Sequence, residues 1–290
     1  MKSLIIRIVL TLIISIICFI FSCSEKICSN KDNVLDTIYL FDTIWVDSTV
    51  WDTLDTIIVD SIITDTLIIN TSLLSDFTLL GLYHFSNGAY DSSGYNNHGE
   101  VYGTSEASDY QGNLNQTIEF ISEEDYIEFP SSLSLHGQSE FTIALKANLN
   151  PTPNNNILFF ESTSSATAAR VALSILPQGE IKLGWRDYYH DNSPNKYTMQ
   201  STTSVPFKQW IDIVVVWDAV NQQQSFYLNG NIIHQDSIET SNLGYSKTST
   251  IRTGRIPTST LNYCSGIIDE LRIYNRALTS SEVLGLFFQK

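Results

Sequence analysis

Two neighbouring acids near the end of the chain, Asp269 and Glu270, interrupt a run of alternating apolar residues, "GIIDELRIY". The run reads as a strand, in which side chains at i, i+2 and i+4 share one face. That period sets Ile267, Asp269, Leu271 and Ile273 on one face and Ile268, Glu270, Arg272 and Tyr274 on the other. Asp269 then points among three aliphatics. A carboxylate in that position is costly unless it is hydrogen-bonded, paired or bound to a metal. A second acidic group, "SEEDYIEF", holds Glu123, Asp125 and Glu128 in an E-x-D-x-x-E spacing. Two carboxylates about 5–5.5 Å apart would support retaining hydrolysis of a glycoside.

A third group is aromatic and cationic. The segment "GWRDYYHDNSPNKY" gathers Trp185, Arg186, Tyr188, Tyr189, His190 and Tyr197 around a turn-rich stretch, with Arg170 a candidate neighbour. Aromatic faces stack on sugar rings, and arginine bonds hydroxyls. The same residue types also make protein-binding hot spots. The alternative is that Trp185 closes a core strand and the tyrosines cover its edge. The five histidines are scattered. No G-x-S-x-G, HExxH or phosphate loop is present.

The elements that hold these groups are short. Turn clusters such as "DSSGYNNHG", "NPTPNNN", "LPQGE" and "LNGN" separate apolar runs such as "TIEFI", "FTIALKANL", "IKLGW" and "WIDIVVVWD". Turn signals every 8–12 residues predict an all-β sandwich. Trp210 and Trp217 bracket "IDIVVV" and belong to its core, and Tyr227 reads as packing. Near the C-terminus Thr279 and Glu282 form a T-x-x-E capping box. A short helix follows, with Leu284, Leu286, Phe287 and Phe288 available to dock.

The rest of the chain has a different character. Residues 8–21 form an apolar run behind Lys2 and Arg7, as in a signal peptide. The sequence "IFSC" then resembles the lipobox of bacterial lipoproteins. That resemblance divides the chain into a signal peptide (1–22), a stalk (23–76) starting at a lipid-modified Cys23, and a globular domain (77–290). In the stalk, Asp followed by Thr or Ser recurs at 36, 42, 47, 52, 55, 60 and 65. A step of five matches neither a strand nor a helix. About 50 extended residues would reach on the order of 150 Å. Cys28 and Cys264 are expected as free thiols, because pairing them would fold back the whole stalk. Formal net charge is -15, and no Lys or Arg lies between Lys31 and Lys146. A phosphate backbone needs clustered cations, so nucleic acid is not an expected partner.

Five runs, taken in order, resemble one family: "GLYHF…DSSGYNNHGEV", "TIEFISEEDYIEFP", "FTIALKANL", "WIDIVVVWDAVNQQQSFYLNG" and "GIIDELRIYNRALTSSEV". The domain resembles the laminin G-like, concanavalin A-like jellyrolls of bacterial surface proteins. The resemblance implies a two-sheet antiparallel jellyroll sandwich with a short C-terminal helix. It further implies a glycan or protein ligand and a structural calcium ion. Asp91 and Asp269 would be its side-chain ligands, with Asn97 a third and carbonyls near Gly94 completing the shell. Without metal, Asp91 would cap its own turn and Asp269 would accept bonds from that loop. His98 reads as a turn residue. Glu123 and Glu128 resemble the acid pair of laminarinase-type glucanases. Glu124 replaces that motif's apolar residue, however, and the aromatics of its cleft are missing. The expected function is therefore a non-catalytic carbohydrate-binding or adhesion module. A lipid-anchored stalk would display it in the cell envelope, at the outer membrane of a Gram-negative bacterium. A structural or protein-binding surface domain is the alternative, and a hydrolase using Glu123 and Glu128 the third reading.

Overall fold

The computed structural model describes residues 78–163, 169–186, 196–238, 242–244 and 249–288. The signal peptide, the stalk, Cys23 and Cys28 lie outside the described residues, as do Phe77 and Tyr188, Tyr189 and His190. The described residues belong to a compact unit, Leu74–Lys290. Its strands are β1 (Leu79–Tyr83), β2 (Glu100–Tyr102), β3 (Ser105–Ala107), β4 (Thr117–Phe120) and β5 (Tyr126–Phe129). They continue with β6 (Glu140–Leu149), β7 (Asn156–Thr163), β8 (Ala169–Ile175), β9 (Glu180–Arg186) and β10 (Lys196–Ser204). The last are β11 (Ile211–Asp218), β12 (Gln223–Leu228), β13 (Asn231–Ser237), β14 (Ser249–Thr253) and β15 (Gly266–Tyr274), followed by the helix α1 (Ser280–Phe288).

All pairings between these strands are antiparallel. They build two sheets, as the jellyroll expectation required. One runs β13-β12-β11-β6-β15-β4-β3, with β1 added on β15. The other runs β10-β9-β8-β7-β14-β5-β2. The inward residues of both sheets form one core cluster. Strand β8 contributes Val171, Leu173 and Ile175 to it, and β9 contributes Ile181, Leu183 and Trp185. Trp217 is fully buried and stacks on Phe141 at 5.4 Å. Alternation along each strand therefore sorts apolar residues inward and leaves the intervening residues outside.

The outer face of the eight-stranded sheet is covered by α1. Val283 is fully buried there among Leu79, Ala144, Val214, Val216, Tyr227 and Tyr274. The capping box forms reciprocally: the Thr279 N–H donates to Glu282 Oε2 at 2.8 Å, and the Glu282 N–H donates to Thr279 Oγ1 at 3.3 Å. Arg276 holds the same carboxylate through two bonds of 2.8 and 2.9 Å. Docking uses Val283 and Leu286, whereas Leu284 and Phe288 are exposed. A nine-residue helix presents one stripe to the sheet, so four nearly consecutive apolar residues cannot all reach it.

Strand β15 departs from the simple alternation. Asp269 pairs with Lys146 and Arg272 with Ala144, so Glu270 and Leu271 together face one residue of β6. This is a β-bulge, and Glu270 takes the left-handed conformation at φ 51. The bulge lets Ile268, Leu271 and Ile273 all enter the core. The face expected for Asp269 is thereby corrected: Asp269 follows inward Ile268 and points away from the core, not among the aliphatics.

Candidate functional site

The bulge lies where β15 changes neighbours. Gly266, Ile267 and Ile268 pair with β4, while Leu271 to Tyr274 pair with β1. Between the end of β1 and the start of β4 no strand covers Asp269 and Glu270. The gap is a pocket of about 280 Å³ lined by His84, Ser86, Asp109, Tyr110, Gln111, Gln116, Asp269 and Glu270. Glu270 is clamped there, with His84 Nδ1 at 2.5 Å from one oxygen and Arg272 Nη2 at 2.7 Å from the other. Burial pushes its carboxyl up, but His84 and Arg272 outweigh burial and hold it low. The bond to Glu270 raises His84 in return. Asp269 is only 2% exposed, and its one hydrogen bond comes from the Glu270 N–H at 2.9 Å. Burial, and then Glu270 beside it, push its carboxyl up to about 7.

The early loop is closed on itself. Asp91 accepts the N–H groups of Leu82, Ser93 and Asn97 and the Ser93 hydroxyl, at 2.8–3.0 Å. Burial opposes ionisation there, but these bonds outweigh it and hold the carboxyl low. The Asn97 amide oxygen accepts from Ser132 and its NH2 donates to the Leu80 carbonyl. His98 Nδ1 accepts the Asp91 N–H at 3.0 Å, a turn role. Asp91 and Asn97 thus have their oxygens occupied by protein donors, and Asp269 opens into the pocket beside Glu270. Among the described residues no group of three His, Cys, Asp or Glu side chains is placed to hold a metal. Of Asp91, Asn97 and Asp269, only Asp269 keeps an oxygen without a hydrogen-bond donor.

The acid pair suggested by the E-x-D-x-x-E spacing is likewise dispersed. Glu123 is exposed in the turn before β5. Asp125 is buried and caps that turn through the N–H groups of Ile121 and Ser122. Glu128 stands on β5 and is held by Arg252 Nε at 2.7 Å.

A larger depression lies on the outer face of the seven-stranded sheet. It measures about 310 Å³, and its lining includes Phe160, Ala172, Ser174, Lys182, Gly184, Arg186 and Thr198. Strand register builds it. Phe160 faces Ala172, Ala172 faces Gly184, and Gly184 faces Thr198 across four strands. Two of the smallest residues meet at the centre and leave a trough between larger neighbours. Lys182 and Arg186 flank Gly184 two residues away on the same strand face. Arg186, which the sequence suggested as a ligand contact, is among the residues of this lining. Trp185 lies between Lys182 and Arg186 and also borders the depression, with its side chain 4% exposed in the core and stacked on Tyr197 at 5.6 Å. Arg170 is buried on β8 outside the trough lining. Lys182, Gly184 and Phe160 were not singled out by sequence. The signal that marks them is a glycine inside a strand, which often records a close approach by a ligand or another backbone.

A family model described as "Concanavalin A-like lectin/glucanases superfamily" matches residues 122–284, more than half of the chain. No curated protein matches in sequence. Several solved structures share the fold. The binding domain of Paraclostridial Mosquitocidal Protein 1 aligns at TM-score 0.58 and 20% identity, over 73% of this chain and 52% of that one. Domain 4 of AbnA, a GH43 extracellular arabinanase from Geobacillus stearothermophilus solved with arabinotriose, aligns at 0.55 and 20%, over 72% and 98%. The ligand-binding domain of botulinum neurotoxin serotype D, solved with N-acetylneuraminic acid, aligns at 0.57 and 15%, over 75% and 52%. The match thus spans about half the length of the two toxin domains.

The Asp269 carboxyl carries a pH test. The folded state keeps its proton up to about pH 7, whereas the unfolded chain releases it near pH 4. Unfolding therefore releases a proton in that window, and the contribution to stability falls as pH rises through it. Asp269→Asn has no proton to lose. In buffer with chelator it should melt close to the wild type at pH 4.5 and be more stable by about 2–4 kcal/mol at pH 8. An equal penalty at both pH values in thermal melts would contradict the assignment.

Proposed function

The chain belongs to the concanavalin A-like lectin/glucanase superfamily, and on that premise we propose that it is a non-catalytic carbohydrate-binding module. The observation that carries the reading is the trough over Ala172 and Gly184. A sugar ring needs a shallow polar-apolar slot, and here the slot is floored by Ala172 and Gly184 next to the buried Phe160. Hydroxyls of Ser174 and Thr198 and the cations of Lys182 and Arg186 supply hydrogen-bond partners at its sides. Two fold relatives were solved with sugars, which supports the reading. The dispersal of Glu123, Asp125 and Glu128 supports binding over hydrolysis. Display on a lipidated Cys23 stalk at the outer membrane completes the proposal, and adhesion to glycan is its role there.

Calcium enters the proposal through Asp269. Asp269 lines one pocket with Asp109, Gln116 and Glu270, and an ion there would draw its oxygen ligands from these side chains. Binding to the folded state alone stabilises by mass action. Millimolar calcium should therefore raise the melting temperature of the wild type and leave Asp269→Asn unmoved. Identical melting of the wild type with calcium and with chelator would remove the ion from the account.

Gly184→Val tests the trough without threatening the fold. A Cβ at Gly184 meets its nearest atoms at 3.8 and 3.9 Å, ordinary contact distances, and the residue is not in the left-handed region. Valine also suits a strand better than glycine. On a glycan array the full-length wild type should bind a defined set of sugars. The variant should lose them with its melting temperature unchanged or raised. Retained binding in a folded Gly184→Val protein would place the sugar elsewhere.

A further inference from the structure

The trough is also an electrostatic exception. The chain carries 31 acids against 16 lysines and arginines. Lys146, Arg252, Arg255, Arg272 and Arg276 each sit against a carboxylate. Lys182 and Arg186 form no ion pair among the described residues, and none of the residues lining the trough is acidic. Five of the described cations are neutralised in this way, whereas Lys182 and Arg186 stand without an ion pair on either side of the notch at Gly184. Four residue steps separate them, about 13 Å at roughly 3.3 Å per step. That span fits one or two sugar units lying along β9.

We propose that the trough selects an anionic glycan, one whose carboxylate or sulfate group is received by Lys182 and Arg186 while a ring lies over Ala172 and Gly184. The proposal rests on the carbohydrate-binding reading and narrows it. The physical reason is differential: an uncharged sugar gains little from two unpaired cations, whereas an anionic group gains charge-assisted bonds. Arginine offers these as a planar fork that matches carboxylate and sulfate alike. The surrounding negative charge repels anions in general, so the trough accepts an anion only where the two cations dominate the local field. Selection against free polyanions that cannot enter the notch follows from the same arrangement.

The test compares four probes on the full-length protein by calorimetry: trigalacturonate, sialyllactose, a sulfated heparin disaccharide, and neutral lactose. At least one of the three anionic probes should bind ten-fold or more tightly than lactose. Its affinity should fall several-fold between 50 and 500 mM NaCl, because screening weakens the ion contacts. Lys182→Gln and Arg186→Gln should each lose that preference while keeping the wild-type melting temperature. The probe that binds distinguishes carboxylate from sulfate. Equal binding of lactose and the anionic probes, or an anion preference that survives both substitutions, would overturn the proposal and leave the carbohydrate reading intact. Binding of none of the four, and of no sugar on the array, would overturn both.

Discussion

Burial of one continuous apolar core between two sheets fixes the phase of every strand, and the rest of the surface follows from it. Val171, Leu173 and Ile175 must face inward on β8, as must Ile181, Leu183 and Trp185 on β9. Ala172, Ser174, Lys182, Gly184 and Arg186 are then obliged to face outward. The trough needs no special backbone. It arises because the pairing of β8 with β9 sets Ala172 opposite Gly184.

The same demand explains the bulge in β15. Ile268 and Leu271 both enter the core, yet they are three residues apart, and strict alternation would send one of them outward. One extra residue resolves the conflict, and Glu270 absorbs it in the left-handed conformation. Such a backbone costs on the order of 1–3 kcal/mol unless its surroundings hold it. Here His84 and Arg272 grip the Glu270 side chain from two sides. The consequence is a buried Asp269 beside a clamped Glu270, at the gap where β15 passes from β4 to β1. Geometry imposed by packing has created an acidic pocket of distinct character.

The sandwich, the helix with its capping box, and the core places of Trp217 and Tyr227 were legible in the sequence, because period-two patterning and turn residues are local signals. Trp210, expected in the core with Trp217, is instead only partly buried and lies edge-on to Tyr110. The phase of Asp269 was not legible, because a bulge is a tertiary compromise. The spacing of Ile268 and Leu271, two apolar residues separated by two acids, was its only trace. The saturation of Asp91 and Asn97 also escaped, since their donors Leu82 and Ser132 come from other parts of the chain. Aromatic composition drew attention to Trp185, which does border the trough, while the two residues at its centre, Ala172 and Gly184, are notable for being small. A hollow is made by what is missing, and a sequence displays that only as a glycine in a strand.

The carbohydrate binding proposed for this domain requires that a sugar occupy the outer face of the seven-stranded sheet. The most direct measurement is an amide chemical-shift map of the isotope-labelled full-length chain, titrated with the glycan that binds most tightly on the array. The account predicts that the largest changes fall at Ala172, Gly184 and Thr198, which meet across three adjacent strands. Changes gathered instead at His84, Tyr110 and Gln111, with the trough silent, would contradict it and move the binding site to the pocket beside Asp269.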